Sequence, residues 1–293
     1  MRSPFLPAFE RAARYALHRR GFESRTVTTR LTTLHSYEAE GFGELPTTVV
    51  LHGIGSGATA FGAMLARLRP HVRRLVAPDL PGHGFSGCPA DQVTPRALFD
   101  SVRTAIDEIV DEPMVLVGNS LGGVLGIRYA VEHPDRVRAL VLASPAGARI
   151  DEEEWRSLIR AFRIESAAEA RRLLGRLYHR TPWYMPAVAP GFRDVMKRRP
   201  VRDILDTATL DDLLSPEMLR GLSMPLLLLW GESERIFPPS ALAYFRQHLP
   251  PHALVEEPAG FGHCPHFDDP GRLATRVVDF ARNAVDRGPP VRS

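Results

Sequence analysis

The sequence predicts an α/β fold in which helices flank a mostly parallel sheet. Segments with apolar residues at three-to-four spacing, typical of helices, separate most of its candidate strands. Alternation of strand and helix produces parallel strand pairs. The candidate strands are short, nearly continuous apolar runs, as expected for strands buried on both faces: 48–51, 75–78, 114–118, 139–143 and 226–230. The candidate helices are 58–69, 95–110 and 121–133.

This alternation stops in the third quarter of the chain. No strand pattern occurs between 150 and 222, where acidic and mixed-charge segments carry spaced leucines. We interpret 147–222 as an inserted helical cap, and 1–146 with 223–293 as the core. Within the cap, three prolines in 181–191 predict an interruption of regular helix. A last strand at 253–257 and a helix at 271–285 complete the core.

Composition bounds the classes of protein that the chain can belong to. Of its 293 residues, 44% are hydrophobic and 24% are charged, as in an ordinary soluble globular protein. The net charge of +3 comes from basic residues interleaved with acids, which disfavours a nucleic-acid partner. Two cysteines allow at most one bridge, so a reducing compartment is the default expectation.

The N-terminal segment reads as an amphipathic helix. Residues 5–20 carry four arginines among apolar residues, which does not fit a signal peptide, and no run approaches the roughly 18 apolar residues of a membrane span. We therefore expect a soluble, cytoplasmic protein without stable membrane insertion. The helix could make transient contact with an anionic membrane surface, but docking on its own core is the favoured interpretation.

A nucleophile motif stands where a strand is predicted to meet a helix. The sequence Gly118-Asn119-Ser120-Leu121-Gly122 matches G-x-S-x-G, and it lies in the strand-to-helix context that this motif requires. Such a turn is strained and leaves no room for β-carbons at the two glycines. We predict that Ser120 is the nucleophile of a hydrolase.

Serine needs a base, and the base needs an acid that orients it. His263 follows the last predicted strand, so its loop would return it to the end of the sheet near Ser120. His266 is the alternative, interpreted as a supporting or surface histidine, and His52 precedes the serine, against the expected chain order of serine, acid and histidine. Glu232 and Glu234, after the strand at 226–230, both compete for the role of the acid.

Together these motifs resemble the α/β-hydrolase family from about residue 47 to residue 280. The resemblance favours Glu234, since members usually carry an aspartate three residues beyond the glycine at 231. It also implies an oxyanion hole built from the backbone N–H groups of Ile54 and Leu121, with Asp79 tying its own loop. The matching segments are His52-Gly53-Ile54-Gly55, Asp79-Leu80-Pro81-Gly82-His83-Gly84-Phe85-Ser86, the nucleophile motif and Gly262-His263.

No cofactor or metal is expected. The histidines and aspartates around His263 match no trusted metal-ligand spacing, and the glycine-rich segment at 53–57 lacks the lysine of a nucleotide-binding loop. Serine at the motif also argues against the relatives that use aspartate there, the haloalkane dehalogenases and epoxide hydrolases.

The chain is similar to bacterial carboxylesterases and monoacylglycerol-lipase-like hydrolases, which implies a small-molecule ester substrate with an apolar acyl group. Two alternatives stay open. One is a hydrolase of carbon–carbon bonds in ring-cleavage products, which can keep the same triad. The other is a non-catalytic relative that binds a small molecule under the cap without turnover.

Overall fold

The computed structural model describes residues 5–287, and eight strands in them form one sheet with the order β1-β2-β4-β3-β5-β6-β7-β8. The pairs β1–β2 and β2–β4 are antiparallel, and the other pairs are parallel. The strands are β1 Glu23–Thr28, β2 Thr33–Glu40, β3 Thr48–Leu51, β4 Arg74–Pro78, β5 Met114–Ser120, β6 Val137–Pro145, β7 Leu226–Leu229 and β8 Leu254–Glu256.

Helices cover the sheet and fill the interval between β6 and β7. They are α1 Phe5–Arg19, α2 Gly62–Leu68, α3 Pro95–Ile109, α4 Leu121–Glu132, α5 Glu152–Phe162, α6 Ala167–Leu177, α7 Met185–Met196, α8 Arg199–Thr207, α9 Pro216–Arg220, α10 Pro239–His248, α11 Pro265–Asp268 and α12 Pro270–Arg287. A short 3-10 turn at Ala58–Phe61 leads into α2.

The two faces of the sheet support two separate hydrophobic clusters. On β3, Val49 and Leu51 belong to one cluster and Val50 to the other, as the alternation of side chains along a strand requires. Residues of α3, α4 and α10 complete the first cluster, and residues of α2 and α12 complete the second. The predicted α/β fold with a mostly parallel sheet is thereby confirmed.

The antiparallel hairpin of β1 and β2 was not predicted. Strand β1 reads Glu-Ser-Arg-Thr-Val-Thr, in which only Val27 is buried, so it contains no apolar run. Strand β2 buries His35 and Ser36, polar residues that hide the strand pattern. Both strands are recognisable only from their pairing partners in the sheet.

Residues 147–222 contain helices α5–α9 and no strand. The predicted interruption of helix at 181–191 is wrong in its second half, because α7 begins at Met185 and runs through Pro190. Pro186 lies in the first turn, where a missing N–H costs nothing, whereas Pro190 leaves the carbonyl of Pro186 without its usual helical donor. Burial of Phe192 and Met196 against α6 compensates for that loss.

Helix α1 is docked on the core, as favoured from the sequence. Leu17 is buried in the cluster that includes α2 and α12, and α1 packs against α7 and the Ala58–Phe61 turn. Within residues 5–287, no helix is both long enough and apolar enough to cross a bilayer. The predicted core ranges also include residues 1–4 and 288–293, which lie outside the described residues.

Candidate active site

Ser120 lies at the sharp turn between β5 and α4. Its backbone has φ 53° and ψ −117°, a left-handed conformation that costs a non-glycine residue about 1–3 kcal/mol. A Cβ at Gly118 would lie 2.4 Å from the carbonyl oxygen of Gly122, and one at Gly122 would lie 2.3 Å from that of Leu51. The two glycines are therefore required by close backbone contacts, as the motif predicted.

The loop after β3 approaches the same turn. A Cβ on Gly53 would lie 3.1 Å from Cβ of Ser120, so the backbone directly before Ile54 lies against the serine. Leu121 is the first residue of α4, and the N–H groups of a helix's first turn have no helical acceptor. Ile54 therefore follows a residue that lies against Ser120, and Leu121 follows Ser120 itself. Both residues predicted to supply the oxyanion hole are next to the serine turn.

His263 and Glu234 form a buried pair beside the serine turn. The Nδ1 of His263 lies 2.8 Å from Oε2 of Glu234, and their side chains are 3% and 2% exposed. The other carboxylate oxygen, Oε1, accepts hydrogen bonds from the backbone N–H groups of Ile236 at 2.6 Å and Phe237 at 3.2 Å. Glu232, which carries the competing carboxylate, is an exposed residue.

These contacts set the protonation of Glu234. Burial by itself would raise the pKa of Glu234, but the adjacent His263 and the hydrogen bonds to the carboxylate hold that pKa below its usual range. The group is therefore an anion at neutral pH. A carboxylate anion can only accept a hydrogen bond, so Nδ1 of His263 must carry the proton that it donates. This leaves Nε2 of His263 as the acceptor nitrogen.

A site residue that sequence reasoning missed is Asn119, the variable position of the nucleophile motif. Its Nδ2 donates to the carbonyl oxygens of Ala143 and His263, both at 2.9 Å, and the side chain is buried. Asn119 therefore ties the end of β6 and the histidine loop to the turn that carries Ser120. The motif gives no signal of this role, because its pattern leaves position 119 free.

Two buried polar residues hold the surrounding loops. His52 donates from Nδ1 to the carbonyl of Gly53 at 2.8 Å and accepts at Nε2 from the N–H of Leu80 at 2.9 Å. Burial lowers the pKa of His52, in keeping with this neutral form. Asp79 accepts hydrogen bonds from the backbone N–H groups of Ala58 and Phe85 and contacts His35 Nδ1 at 3.0 Å.

His266 does not share the acid. Its ring stacks on Phe61 with centroids 3.9 Å apart, and the residue is 3% exposed rather than on the surface. Burial and the nearby His263 lower its pKa to about 3, so the ring is neutral. Within residues 5–287, neither ring nitrogen of His266 has a hydrogen-bond partner.

Ser120 and His263 line one cavity of about 450 Å³. Its volume lies within the range of about 300–1,000 Å³ that is usual for small-molecule sites. Helices α5, α6 and α7 supply most of its apolar side chains, and α1 lies at another wall. The lining residues are Phe9, Glu10, Gly53, Ile54, Gly55, Ser56, Gly57, Thr59, Ala60, Asn119, Ser120, Phe162, Leu174, Leu177, Tyr178, Tyr184, Met185, Ala187, Val188, Phe192, His263, Cys264, His266 and Phe267.

Across residues 5–287, no group of three or more histidine, cysteine, aspartate or glutamate side chains could hold a metal ion. Cys88 and Cys264 are both free thiols, the first exposed and the second buried in the cavity wall.

Similar proteins agree with this architecture. The chain is 29% identical over 262 residues to the pimeloyl-[acyl-carrier protein] methyl ester esterase of Nitrosospira multiformis, covering 84% of this chain and 98% of that one. It is 30% identical over 278 residues to the 2-hydroxymuconate semialdehyde hydrolase of Pseudomonas putida, covering 86% and 91%. The crystal structure of naproxen esterase from Bacillus subtilis superposes with a TM-score of 0.75 at 21% identity, covering 92% and 98%.

The homologues thus include both esterases and carbon–carbon bond hydrolases, and both classes cleave their substrates with water. Residues 46–270 match the family described as the alpha/beta hydrolase fold, which covers well over half of the chain. With the eight-stranded sheet, the strand-to-helix serine and the buried histidine–carboxylate pair, the chain belongs to the α/β-hydrolase family.

Proposed function

We propose that this protein is a serine hydrolase that cleaves carboxylic esters with apolar acyl groups. The observation that carries the proposal is that Ser120, on its strained turn, and His263, which is paired with the buried Glu234, line the same cavity. The serine ends strand β5, and the base and the acid follow strands β8 and β7; the parallel alignment of these strands brings their carboxyl ends to the same edge of the sheet.

The proposed reaction has two steps. Oγ of Ser120 attacks the ester carbonyl while Nε2 of His263 takes its proton, and Glu234 stabilises the resulting imidazolium. The carbon–oxygen bond to the alcohol breaks, and His263 returns the proton to the departing alcohol. Water then attacks the acyl-enzyme with His263 again as base, which releases the carboxylic acid and restores Ser120.

Two backbone N–H groups are proposed to bind the oxyanion. Those of Ile54 and Leu121 would donate to the charged oxygen of each tetrahedral intermediate, and a donor of this kind contributes about 3 kcal/mol in comparable sites. One of the two residues lies in the loop after β3 and the other at the start of α4, directly after Ser120.

Residues 147–222 are proposed to act as the cap over this site. Phe162, Leu174, Leu177, Val188 and Phe192, all in this segment, line the cavity. Such a wall would bind an apolar acyl chain and exclude water from the acyl-enzyme until the alcohol has left. This supports esters with medium-sized apolar acyl groups as substrates.

The experiment is an ester panel with wild type, Ser120→Ala and the control Ser223→Ala, which alters a serine outside the cavity. We expect wild type and the control to hydrolyse p-nitrophenyl esters of graded acyl length, and Ser120→Ala to lose about 10⁴-fold or more in kcat. A serine-directed phosphonate should label wild type at one site and leave Ser120→Ala unlabelled.

The same panel separates the alternatives. The relative with 30% identity, a 2-hydroxymuconate semialdehyde hydrolase, favours carbon–carbon hydrolysis as the second candidate function. Turnover of a vinylogous diketone without ester turnover would establish that reaction instead. Absence of both turnover and phosphonate labelling would indicate a binding role, and ester turnover that persists in Ser120→Ala would refute the assigned nucleophile.

A further inference from the structure

The loop that carries His263 lies directly against the helical segment over the cavity. It touches the last residue of α6 and the two residues that follow, which we call the α6 end: Leu177, Tyr178 and His179. A Cβ on Gly262 would lie 2.7 Å from the backbone nitrogen of His179, closer than a side chain allows. The backbone N–H of Cys264 donates to the carbonyl oxygen of Leu177 at 2.9 Å. The residues on both sides of His263 are therefore in contact with the α6 end.

The α6 end also touches the loop that carries Glu234. Nδ1 of His179 lies 2.8 Å from Oγ of Ser233, the residue directly before this glutamate. The loops of the histidine and of the glutamate contact each other as well, because the backbone N–H of Ser233 donates to the carbonyl oxygen of Phe261 at 2.9 Å. One short stretch of the helical segment thus contacts both loops of the His263–Glu234 pair.

The carboxylate of Asp268 joins the histidine loop to the α6 end. Its Oδ2 accepts a hydrogen bond from the backbone N–H of Gly262 at 2.7 Å, and its Oδ1 accepts one from the backbone N–H of His179 at 2.9 Å. Burial raises the pKa of Asp268 above its ordinary value of 3.8, while the two N–H donors favour the ionised form. Since Gly262 directly precedes His263, this bridge is made one residue away from the imidazole.

We propose that Asp268 is a positioning residue, which holds His263 in line with Ser120 by fixing the histidine loop to the α6 end. The inference rests on the proposed esterase function. The described lining of the cavity does not include Asp268, so this carboxylate acts through His263 and not by touching the substrate. Such an effect can be large, because a misplacement of about 1 Å in a reacting group can cost about 100-fold in rate. The group that Asp268 engages in the helical segment is a backbone N–H, which segments of other sequences can also supply.

A double-mutant cycle tests whether Asp268 acts through the histidine. Asp268→Asn keeps the size of the side chain but places an NH2 group beside one of the two backbone N–H donors, so one hydrogen bond is lost. We expect kcat for p-nitrophenyl octanoate to fall about 20-fold, with KM within about twofold of wild type. In the Glu234→Gln background His263 is no longer held firmly at Nδ1, so the same change should cost less than about threefold.

Asp269→Asn is the matched control. Asp269 is the next residue and is exposed, and its Oδ1 accepts a hydrogen bond from the backbone N–H of Arg272 in the first turn of α12. Asparagine and aspartate serve equally well at the start of a helix, so kcat should stay within about twofold of wild type. Asp268→Glu keeps the carboxylate on a longer side chain and should retain more of kcat than Asp268→Asn. The cycle is run with Asp268→Glu should Asp268→Asn fail to fold.

Equal losses in the wild-type and Glu234→Gln backgrounds would show that Asp268 does not act through His263, which would overturn its assignment. An unchanged kcat, or a loss carried by KM alone, would overturn it as well. A wild type that does not hydrolyse the ester would overturn the esterase function and the role of Asp268 with it. The two failures are therefore distinguishable by the wild-type measurement alone.

Discussion

The imidazole Nδ1 of His263 and the carboxylate Oε2 of Glu234 lie 2.8 Å apart, and both side chains are almost completely shielded from water. Glu232, two residues earlier, is an exposed residue. Only one of the two carboxylates considered from the sequence is thus in contact with the histidine. This relationship leads directly to a mutational comparison.

Glu234→Gln should lower kcat for a p-nitrophenyl ester by about 10³–10⁴-fold, because a neutral amide neither fixes the tautomer of His263 nor stabilises its protonated form. Glu232→Gln, the matched control, should stay within about twofold of wild type, as expected for an exposed side chain. Steady-state kinetics on both variants gives the comparison. Comparable losses in the two variants would contradict the assignment.

The same carboxylate should make folding stability depend on pH in the acid range. The pKa of Glu234 in the folded protein is below its usual value of 4.5, so its ionised form stabilises the fold fully above pH 4.5. That contribution is lost as the pH falls through the folded-state pKa. Denaturant unfolding at pH 7, 5, 4 and 3.5 should show wild type losing stability more steeply than Glu234→Gln below pH 4.5. Parallel curves would show that Glu234 has no shifted pKa.

Asn119→Ala should affect catalysis through the histidine loop. Two hydrogen bonds to the carbonyls of Ala143 and His263 would be lost, which should lower unfolding free energy by about 1–3 kcal/mol. Because His263 would be held less firmly, we expect kcat to fall about tenfold with KM nearly unchanged. Thr104→Ala, which removes a side-chain hydrogen bond on α3, should leave kcat unaffected. An Asn119→Ala variant that loses stability but keeps kcat would limit Asn119 to a structural role.

Gly122→Ala should prevent correct folding, whereas Gly126→Ala, one turn later in the same helix, should not. A Cβ at 122 would lie 2.3 Å from the carbonyl oxygen of Leu51, in backbone that cannot yield. The nearest atom to a Cβ at 126 is Leu116 Cδ2, at 3.6 Å, an ordinary contact. Since alanine is favoured over glycine in a helix by about 0.5–1 kcal/mol, Gly126→Ala should unfold at the same or a higher temperature. Similar melting of both variants would show that the serine turn tolerates a Cβ.

The sequence was most informative where residue type alone dictates geometry. The parallel strands β3–β7 are apolar runs. The glycines at 118 and 122 indicate a backbone contact that is too close to leave room for a side chain. The fold and the neighbourhood of Ser120 followed from these. The hairpin of β1 and β2 did not, because its buried members His35 and Ser36 are polar, and His35 contacts Asp79, a residue 44 positions away that the local sequence does not indicate.

The site was less predictable where a residue's role depends on distant partners. Nothing at position 119 indicates that its amide will meet carbonyls at 143 and 263. Likewise, Glu10 is separated by more than forty residues from Ser56, and only the docking of α1 brings it to the cavity wall. The continuation of α7 through Pro190 depends on the apolar face that this helix buries against other elements, which proline propensity alone does not indicate.

The insertion point of the helical segment has a consequence for how such an enzyme can change. The backbone N–H of Leu214 donates to the carbonyl oxygen of Gly147 at 2.8 Å, so the part of the segment that carries α5–α8 leaves the core and returns to it at adjacent points. A segment with adjacent ends can be exchanged for one of different length without displacing β5 or β8. Chimeras that carry a relative's segment between β6 and β7 should therefore keep the reaction and acquire the donor's substrate range. Exchange of this segment is thus a route by which such an enzyme can change its substrate.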